Sequence, residues 1–311
     1  MAACAAGLKP DELLVDNLAK VLHSWLQQDH VLRLGLRRFA WSKVVIGAFA
    51  LATTTLVFNV SVSRAEATEI VSGYGRTLHF AGYDWLAKTS SVLVGPGPNY
   101  FSDSLDNVWI DSQGSLHLRL TRDASGQWSS CEVVLQRSLG YGTYTFQLDA
   151  TSNELDVNAV LGMFTWNDDP TDNHRELDIE IARWGQSSAP NGRYTVQPYQ
   201  VPGRMFDFQQ PPVGAQTTQR IDWHPDRVRF QSWMGWSSSP PSTDAMIAEH
   251  TFDSGVPRPG GEQTRINLWL DRGAAPVDML GTEVIVRNFE FVPMLSDAAG
   301  PERAPIELIP M

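Results

Sequence analysis

Glu176-Leu177-Asp178-Ile179-Glu180 alternates carboxylates with branched apolar side chains at a period of two, and Ile181 carries the pattern one residue further. That period selects one local structure. Side chains alternate across a β-strand, so Glu176, Asp178 and Glu180 share one face while Leu177, Ile179 and Ile181 share the other. Alternate residues of a strand lie about 6.5 Å apart, close enough that three ionised carboxylates repel, and at least one is expected to keep its proton at neutral pH. Two readings of the row follow. One is a half-buried edge strand whose wet face is acidic, since any such strand alternates in this way. The other is a reactive site, because glycoside hydrolysis needs a carboxylic acid to protonate a leaving oxygen and a carboxylate to attack the anomeric carbon or activate water.

The same strand character recurs along the chain. Leu116-His117-Leu118-Arg119-Leu120, Tyr144-Thr145-Phe146-Gln147-Leu148, Arg227-Val228-Arg229-Phe230, Ile266-Asn267-Leu268-Trp269, Val284-Ile285-Val286 and Phe289-Glu290-Phe291-Val292 are short, alternating or aromatic-rich runs. Between them stand turn-forming clusters such as Gly95-Pro96-Gly97-Pro98-Asn99, Asp111-Ser112-Gln113-Gly114 and Ser237-Ser238-Ser239-Pro240-Pro241. After residue 67 no helical pattern of ten or more residues appears. Many short strands punctuated in this way predict an all-β chain, a single antiparallel sandwich or jelly roll over residues 68–295. The three prolines and patternless sequence of residues 296–311 predict a surface strap or disordered tail.

Residues 1–67 have a different character. The uncharged, apolar run 44–62 follows the basic cluster Arg33, Arg37, Arg38 and Lys43 and precedes the small-residue motif Ala65-Glu66-Ala67. Basic, apolar and small-residue regions in that order form a secretory signal, with cleavage expected after Ala67. The 30 or so residues ahead of the basic cluster leave two alternatives open: an over-extended start at Met1, or an uncleaved anchor, since about 20 apolar residues span a bilayer. Export implies an extracellular or periplasmic protein, membrane-anchored only if the run 44–62 is retained. Cleavage would leave Cys131 without Cys4, so no internal disulfide is expected and a buried core must hold the domain. Residues 68–311 carry 17 Lys and Arg against 30 Asp and Glu, a net charge of −13. Lys88 is their only lysine. Nucleic acid is not expected as a partner, because phosphate contacts need clustered cations. The seven histidines show no paired ligand spacing, so no catalytic zinc is expected. Neither a Gly-x-Ser-x-Gly elbow nor a phosphate-cradling glycine loop occurs.

The carboxylate row is the constellation that remains, and with its flanks it resembles glycoside hydrolase family 16. Glu176-Leu177-Asp178-Ile179-Glu180 matches the uninterrupted E-x-D-x-E signature of that family's lichenase-like members. The flanking segments come in the family's order: residues 95–101, Tyr141-Gly142-Thr143-Tyr144 and Gly162-Met163-Phe164-Thr165-Trp166 before the signature, then Ile221-Asp222-Trp223-His224-Pro225-Asp226, Asn267-Leu268-Trp269 and Phe289-Glu290-Phe291-Val292-Pro293 after it.

The resemblance implies a concanavalin A-like jelly roll of two curved antiparallel sheets, with the signature strand crossing the concave face of an open cleft. It implies a monomer that hydrolyses internal bonds of a β-linked polysaccharide, a β-1,3 or β-1,3-1,4 glucan, with retention of configuration. A cell-wall transglycosylase with the same site and a non-catalytic polysaccharide-binding jelly roll are the alternatives. Carried over by position, Glu176 resembles the nucleophile, Glu180 the general acid/base, and Asp178 the residue that sets their protonation. Glu176 and Glu180 have Cα atoms about 13 Å apart on an ideal strand, whereas a retaining pair wants carboxyls about 5–5.5 Å apart, so the side chains must lean together. Trp166, Trp184 and Trp269 are implied as cleft walls on which sugar rings stack, with Asn99 and Asn267 as hydrogen-bonding partners. Trp85, Trp109 and Trp223 are expected in the core. No cofactor is expected; the resemblance allows a structural calcium on the convex side without indicating its ligands. The sequence departs from the family after the Tyr-Gly-x-Tyr segment, where a Glu and an Arg that bind substrate correspond to Thr145 and Gln147. Arg175 and Arg183 flank the signature and either compensate, recognise an anionic polysaccharide, or are structural.

Overall fold

The computed structural model describes residues 72–149, 155–211 and 215–295. The signal or anchor expected within residues 1–67 and the tail 296–311 lie outside the described residues. Among the described residues seventeen strands pair into two sheets. One sheet of ten contains β1 (Ser72–Phe80), β2 (Tyr83–Val94), β3 (Asn99–Phe101), β6 (Thr121–Arg122), β7 (Trp128–Leu135), β9 (Ala159–Trp166), β10 (Leu177–Ala182), β11 (Gly192–Val196), β12 (Met205–Phe208) and β16 (Gln263–Leu270). The sheet of seven contains β4 (Val108–Ile110), β5 (Leu116–Arg119), β8 (Gly142–Leu148), β13 (Thr217–Trp223), β14 (Val228–Met234), β15 (Met246–Phe252) and β17 (Glu283–Pro293). Every alternating run read from the sequence falls on one of these strands, Leu120 and Arg227 lying one residue outside theirs, with Val284–Val286 and Phe289–Val292 joined as β17. The helical segments among the described residues are single 3-10 turns of three residues each.

In the larger sheet the spatial order is β1-β2-β3-β7-β16-β9-β10-β11-β12, with β6 on β7, and only the short β3–β7 pair is parallel. The signature strand β10 is therefore interior, paired to β9 on one side and β11 on the other. That removes the edge-strand reading of the acidic row. In the smaller sheet the order is β15-β14-β13-β8-β17-β5-β4.

The core lies where the two sheets face each other. Leu177, Ile179 and Ile181 of β10 enter it from one side, and Tyr144, Phe146, Ile221 and Phe230 from the other. Edge-on aromatic contacts join the layers, as between Trp85 and Phe289 at 5.3 Å. Trp85 and Trp223 are fully buried, as expected. Trp109 is not: it lies half-buried with its ring stacked on His117 at 4.6 Å, on a three-residue strand at the margin of its sheet. With Leu177, Ile179 and Ile181 committed inward, strand alternation turns Asp178 and Glu180 to the outer face of the ten-stranded sheet.

Candidate active site

Backbone register assembles the outer face across strands that are distant in sequence. Glu180 pairs with Gly162 of β9, which pairs with Asn267 of β16, which pairs with Glu132 of β7. The adjacent row runs Asp178, Phe164, Arg265, Val134. Together with Trp166, Asp168, Glu176, Trp269 and Lys88, these rows, apart from the buried Val134, line a cleft of about 320 Å³, at the lower end of the range for ligand sites. Gly162 is required at the centre: a Cβ there would stand 2.5 Å from Oδ1 of Asn267.

Glu176 precedes β10 in extended conformation, so it continues the alternation. Thr165 brackets it. The Thr165 hydroxyl donates to the carbonyl of Arg175 at 2.7 Å and accepts from the amide of Leu177 at 3.2 Å, fixing the backbone on both sides of Glu176. The segment just before it, Asp172 to Arg175, is left-handed at four consecutive residues, with φ between 52° and 61°. Asp and Asn tolerate that region best, yet left-handed backbone costs roughly 1–2 kcal/mol per residue. Surrounding bonds hold it: His174 Nδ1 donates to the carbonyl of Asn167 at 2.8 Å, and Arg175 Nη1 donates to that of Thr171 at 3.1 Å.

All three acids are displaced towards their protonated forms. Burial, then the charge of Glu180, pushes Glu176 up to about 8, with Arg265 pulling the other way. Burial, then the charge of Glu176, raises Asp178 well above the usual carboxylate range. Burial, then the charge of Asp178, pushes Glu180 up to about 8, opposed by Arg193. Asp178 is hydrogen-bonded to Glu176, and Gln197 Nε2 donates to its Oδ2 at 3.1 Å. The contact between the two acids favours the proton on Asp178 and the charge on Glu176, so the row works as a unit with fewer than three charges at neutral pH.

The floor of the cleft carries a group of charges that the sequence did not single out. Glu132, 1% exposed, accepts from Lys88 Nζ at 3.4 Å, from Arg265 Nη1 at 3.2 Å and from Asn267 Nδ2 at 3.2 Å. Burial lowers the pKa of Lys88 although Glu132 counters it. Arg265 Nη2 also reaches Asp168 at 3.4 Å. Their sequence signal was slight: a lone acid in the apolar run Cys131-Glu132-Val133-Val134 and the only lysine after residue 67. These residues also revise the expected departure at Thr145 and Gln147. Both belong to β8, which lies in the seven-stranded sheet between β13 and β17, so neither position belongs to the cleft-bearing sheet. Glu132 and Arg265 supply a carboxylate and a guanidinium to the cleft instead.

Of the expected binding residues, Trp166, Asn267 and Trp269 line the cleft. Asn99 does not: its amide donates to the carbonyls of Pro96 and Leu270 and its oxygen accepts from Ser130, which makes it a buried tie for the 95–99 turn. Trp184 stands one ring behind the lining, edge-on to Trp269 at 6.0 Å. Arg175 and Arg183 are structural. The first packs against Gly260, and the second donates to the carbonyls of Ser187 and Ala189 in the turn after β10. Among the described residues no group of three or more His, Cys, Asp or Glu side chains is arranged to hold a metal.

Two facing antiparallel-rich sheets, with a carboxylate row on the outer face of the larger, make a β-jelly-roll sandwich, a fold shared with solved β-glucanase structures. The Bacillus licheniformis β-glucanase matches with a TM-score of 0.52 at 17% identity, over 71% of this chain and 99% of that one. A glycoside hydrolase family protein from Mycobacterium thermorestibile matches with 0.52 at 17%, over 72% and 100%. A β-1,3-1,4-glucanase (lichenase) from a mouse hindgut metagenome matches with 0.50 at 15%, over 70% and 99%. No family model and no curated protein matches the sequence. At these identities the likeness establishes the fold, and the chemistry rests on the residues in the cleft.

Proposed function

We propose that the protein is an exported, retaining endo-glycosidase acting on an uncharged β-linked glucan, of the β-1,3 or β-1,3-1,4 type. The observation that carries this reading is the placement of Glu176, Asp178 and Glu180 together in a single cleft, where contact with Asp178 favours the charge on Glu176 while desolvation favours the proton on Glu180. In the first step Glu176 attacks the anomeric carbon while Glu180 gives its proton to the departing sugar oxygen. In the second, Glu180 takes a proton from water, which releases the glycosyl group from Glu176. Asp178 holds a proton against Glu176, which leaves that carboxylate free to attack and lowers the repulsion along the row. An uncharged substrate follows from the charge pairing. Both cations lining the cleft, Lys88 and Arg265, are already matched to Glu132 and Asp168, so neither is left over for a sulfate or a uronate. Trp166 and Trp269 offer apolar ring faces to the C–H faces of sugars. The solved β-glucanase and lichenase structures of this fold support the same substrate class.

The test is a reducing-sugar assay of the full-length protein on laminarin, mixed-linkage β-glucan, agarose and carrageenan, repeated with Glu176→Gln and Glu180→Gln. Cleavage of one of the two glucans, lost by at least a hundredfold in each variant, is expected. Wild-type rates in either variant would falsify the assignment of roles.

A further inference from the structure

Trp166, in the lining of the cleft, is braced by two side chains outside the carboxylate row, His174 and Asp168. The imidazole of His174 lies flat against the indole of Trp166, with ring centroids 3.9 Å apart and planes 7° from parallel. The indole Nε1 donates to Oδ1 of Asp168 at 2.9 Å. Asp168 is in turn tied to Arg265, which is anchored on the buried Glu132. Trp166 is therefore gripped on one face and at its nitrogen, leaving the opposite face and the remaining edges to the cleft that it lines.

The backbone under His174 shows what the grip requires. His174 occupies the left-handed region at φ 61°, within the run of four such residues that ends one position before Glu176. An uninterrupted strand would carry the chain from Trp166 straight to Glu176 without returning a ring to the indole. The turn folds back instead: the amide of Asn167 donates to the carbonyl of His174 at 2.7 Å, and His174 Nδ1 donates to the carbonyl of Asn167 at 2.8 Å. This reciprocal pair fixes the imidazole plane parallel to the indole.

We propose that His174 and Asp168 are positioning residues that lock Trp166 as a one-faced stacking platform for sugar, setting polysaccharide affinity rather than the rate of bond cleavage. The inference rests on the glycosidase reading in its choice of ligand, an uncharged β-glucan chain. Its physical basis is preorganisation: an indole already held in place loses less freedom when a sugar ring settles on it. A stacked aromatic pair contributes about 0.5–1.5 kcal/mol, which corresponds to roughly two- to twelvefold in affinity.

The experiment measures kcat and KM of the full-length protein on laminarin and mixed-linkage β-glucan, with binding to the same polysaccharides followed by affinity electrophoresis. His174→Ala is expected to raise KM about three- to tenfold, with any fall in kcat smaller than the rise in KM. His174→Phe, which keeps a ring on the indole, recovers most of the loss. In a Trp166→Ala background, which loses affinity by itself, removing the His174 ring adds less than about twofold, because nothing remains to be positioned. Asp168→Asn behaves as a weaker His174→Ala. Should His174→Ala fail to fold, His174→Gly removes the ring while easing the left-handed backbone and carries the same expectation.

A cleaving wild type whose His174→Ala variant keeps its KM, loses only kcat, or adds its full effect to Trp166→Ala overturns this inference and leaves the glycosidase reading standing. A wild type that binds glucan without cleaving it overturns the proposed activity, and the inference is then decided by the binding shifts of the same variants. A wild type that neither binds nor cleaves overturns both.

Discussion

Glu180→Gln should make the folded protein more stable at pH 8 while destroying its activity. Burial, chiefly, and the charge of Asp178 hold the Glu180 carboxyl at about 8, whereas in the unfolded chain it titrates near an ordinary glutamate value of about 4.3–4.5. A carboxyl raised in this way is most favourable to folding while both states are protonated, below pH 4.5. Its contribution is lost as pH rises from there towards 8, because the unfolded chain releases its proton first. At pH 7 the difference corresponds to about 3 kcal/mol relative to a neutral side chain of the same shape. Glutamine never ionises, so it escapes that loss; coupling along the row lets Glu176 and Asp178 relax in response, and roughly 1–3 kcal/mol is the expected gain. For a domain of this size that is about 3–10 °C in Tm. The assay is thermal and urea unfolding of wild type and variant at pH 4.5, 6 and 8. The gap should be absent at pH 4.5 and widen with pH. A gap that is equal at all three values, or a variant less stable at pH 8, would refute the picture of a half-buried carboxyl kept protonated by its surroundings.

Three other perturbations test separate parts of the site. Thr165→Val keeps the shape of a fully packed side chain but strips both bonds that bracket Glu176; it should cost about 1–3 kcal/mol by urea unfolding and lower kcat more than it raises KM. Arg265→Met leaves Glu132 buried with Lys88 as its remaining cationic partner, so a loss of roughly 3 kcal/mol or more is expected, and because Arg265 lowers the pKa of Glu176, the acidic limb of the kcat/KM profile should move to higher pH. In the wild type the alkaline limb should fall near pH 8, where Glu180 gives up the proton it donates; undiminished activity at pH 10 would exclude it as the general acid.

Much of the fold was legible because β-structure writes itself locally. The runs around Leu116, Tyr144, Ile266 and Phe289 each show their strand through two-residue alternation, and each is a strand. The inward face of β10 could be read from Leu177, Ile179 and Ile181 alone. Trp109 shows the limit: an aromatic ring says that burial is favourable but not whether a three-residue strand at the margin of a sheet has a core to bury it in. The left-handed turn from Asp172 to Arg175 was invisible for another reason. It contains no glycine, so nothing in its composition marks positive φ except the tolerance of Asp and Asn for it.

For the site, sequence alone determined that three carboxylates share one face of a strand and must interact, because side-chain direction in a strand is fixed residue by residue. It also determined that the domain is all-β and carries its negative charge with little lysine. Only the tertiary structure decided that β10 is interior, that its acidic face looks into a cleft, and that Lys88, Glu132 and Arg265 meet on the floor of that cleft from strands far apart in the chain. It likewise turned Asn99 into a loop tie and assigned Thr145 and Gln147 to the other sheet. The reason is physical: periodicity is a property of neighbours along the backbone, whereas desolvation and Coulomb interaction depend on neighbours in space. The protonation of Glu176, Asp178 and Glu180, on which the chemistry turns, belongs to the second kind.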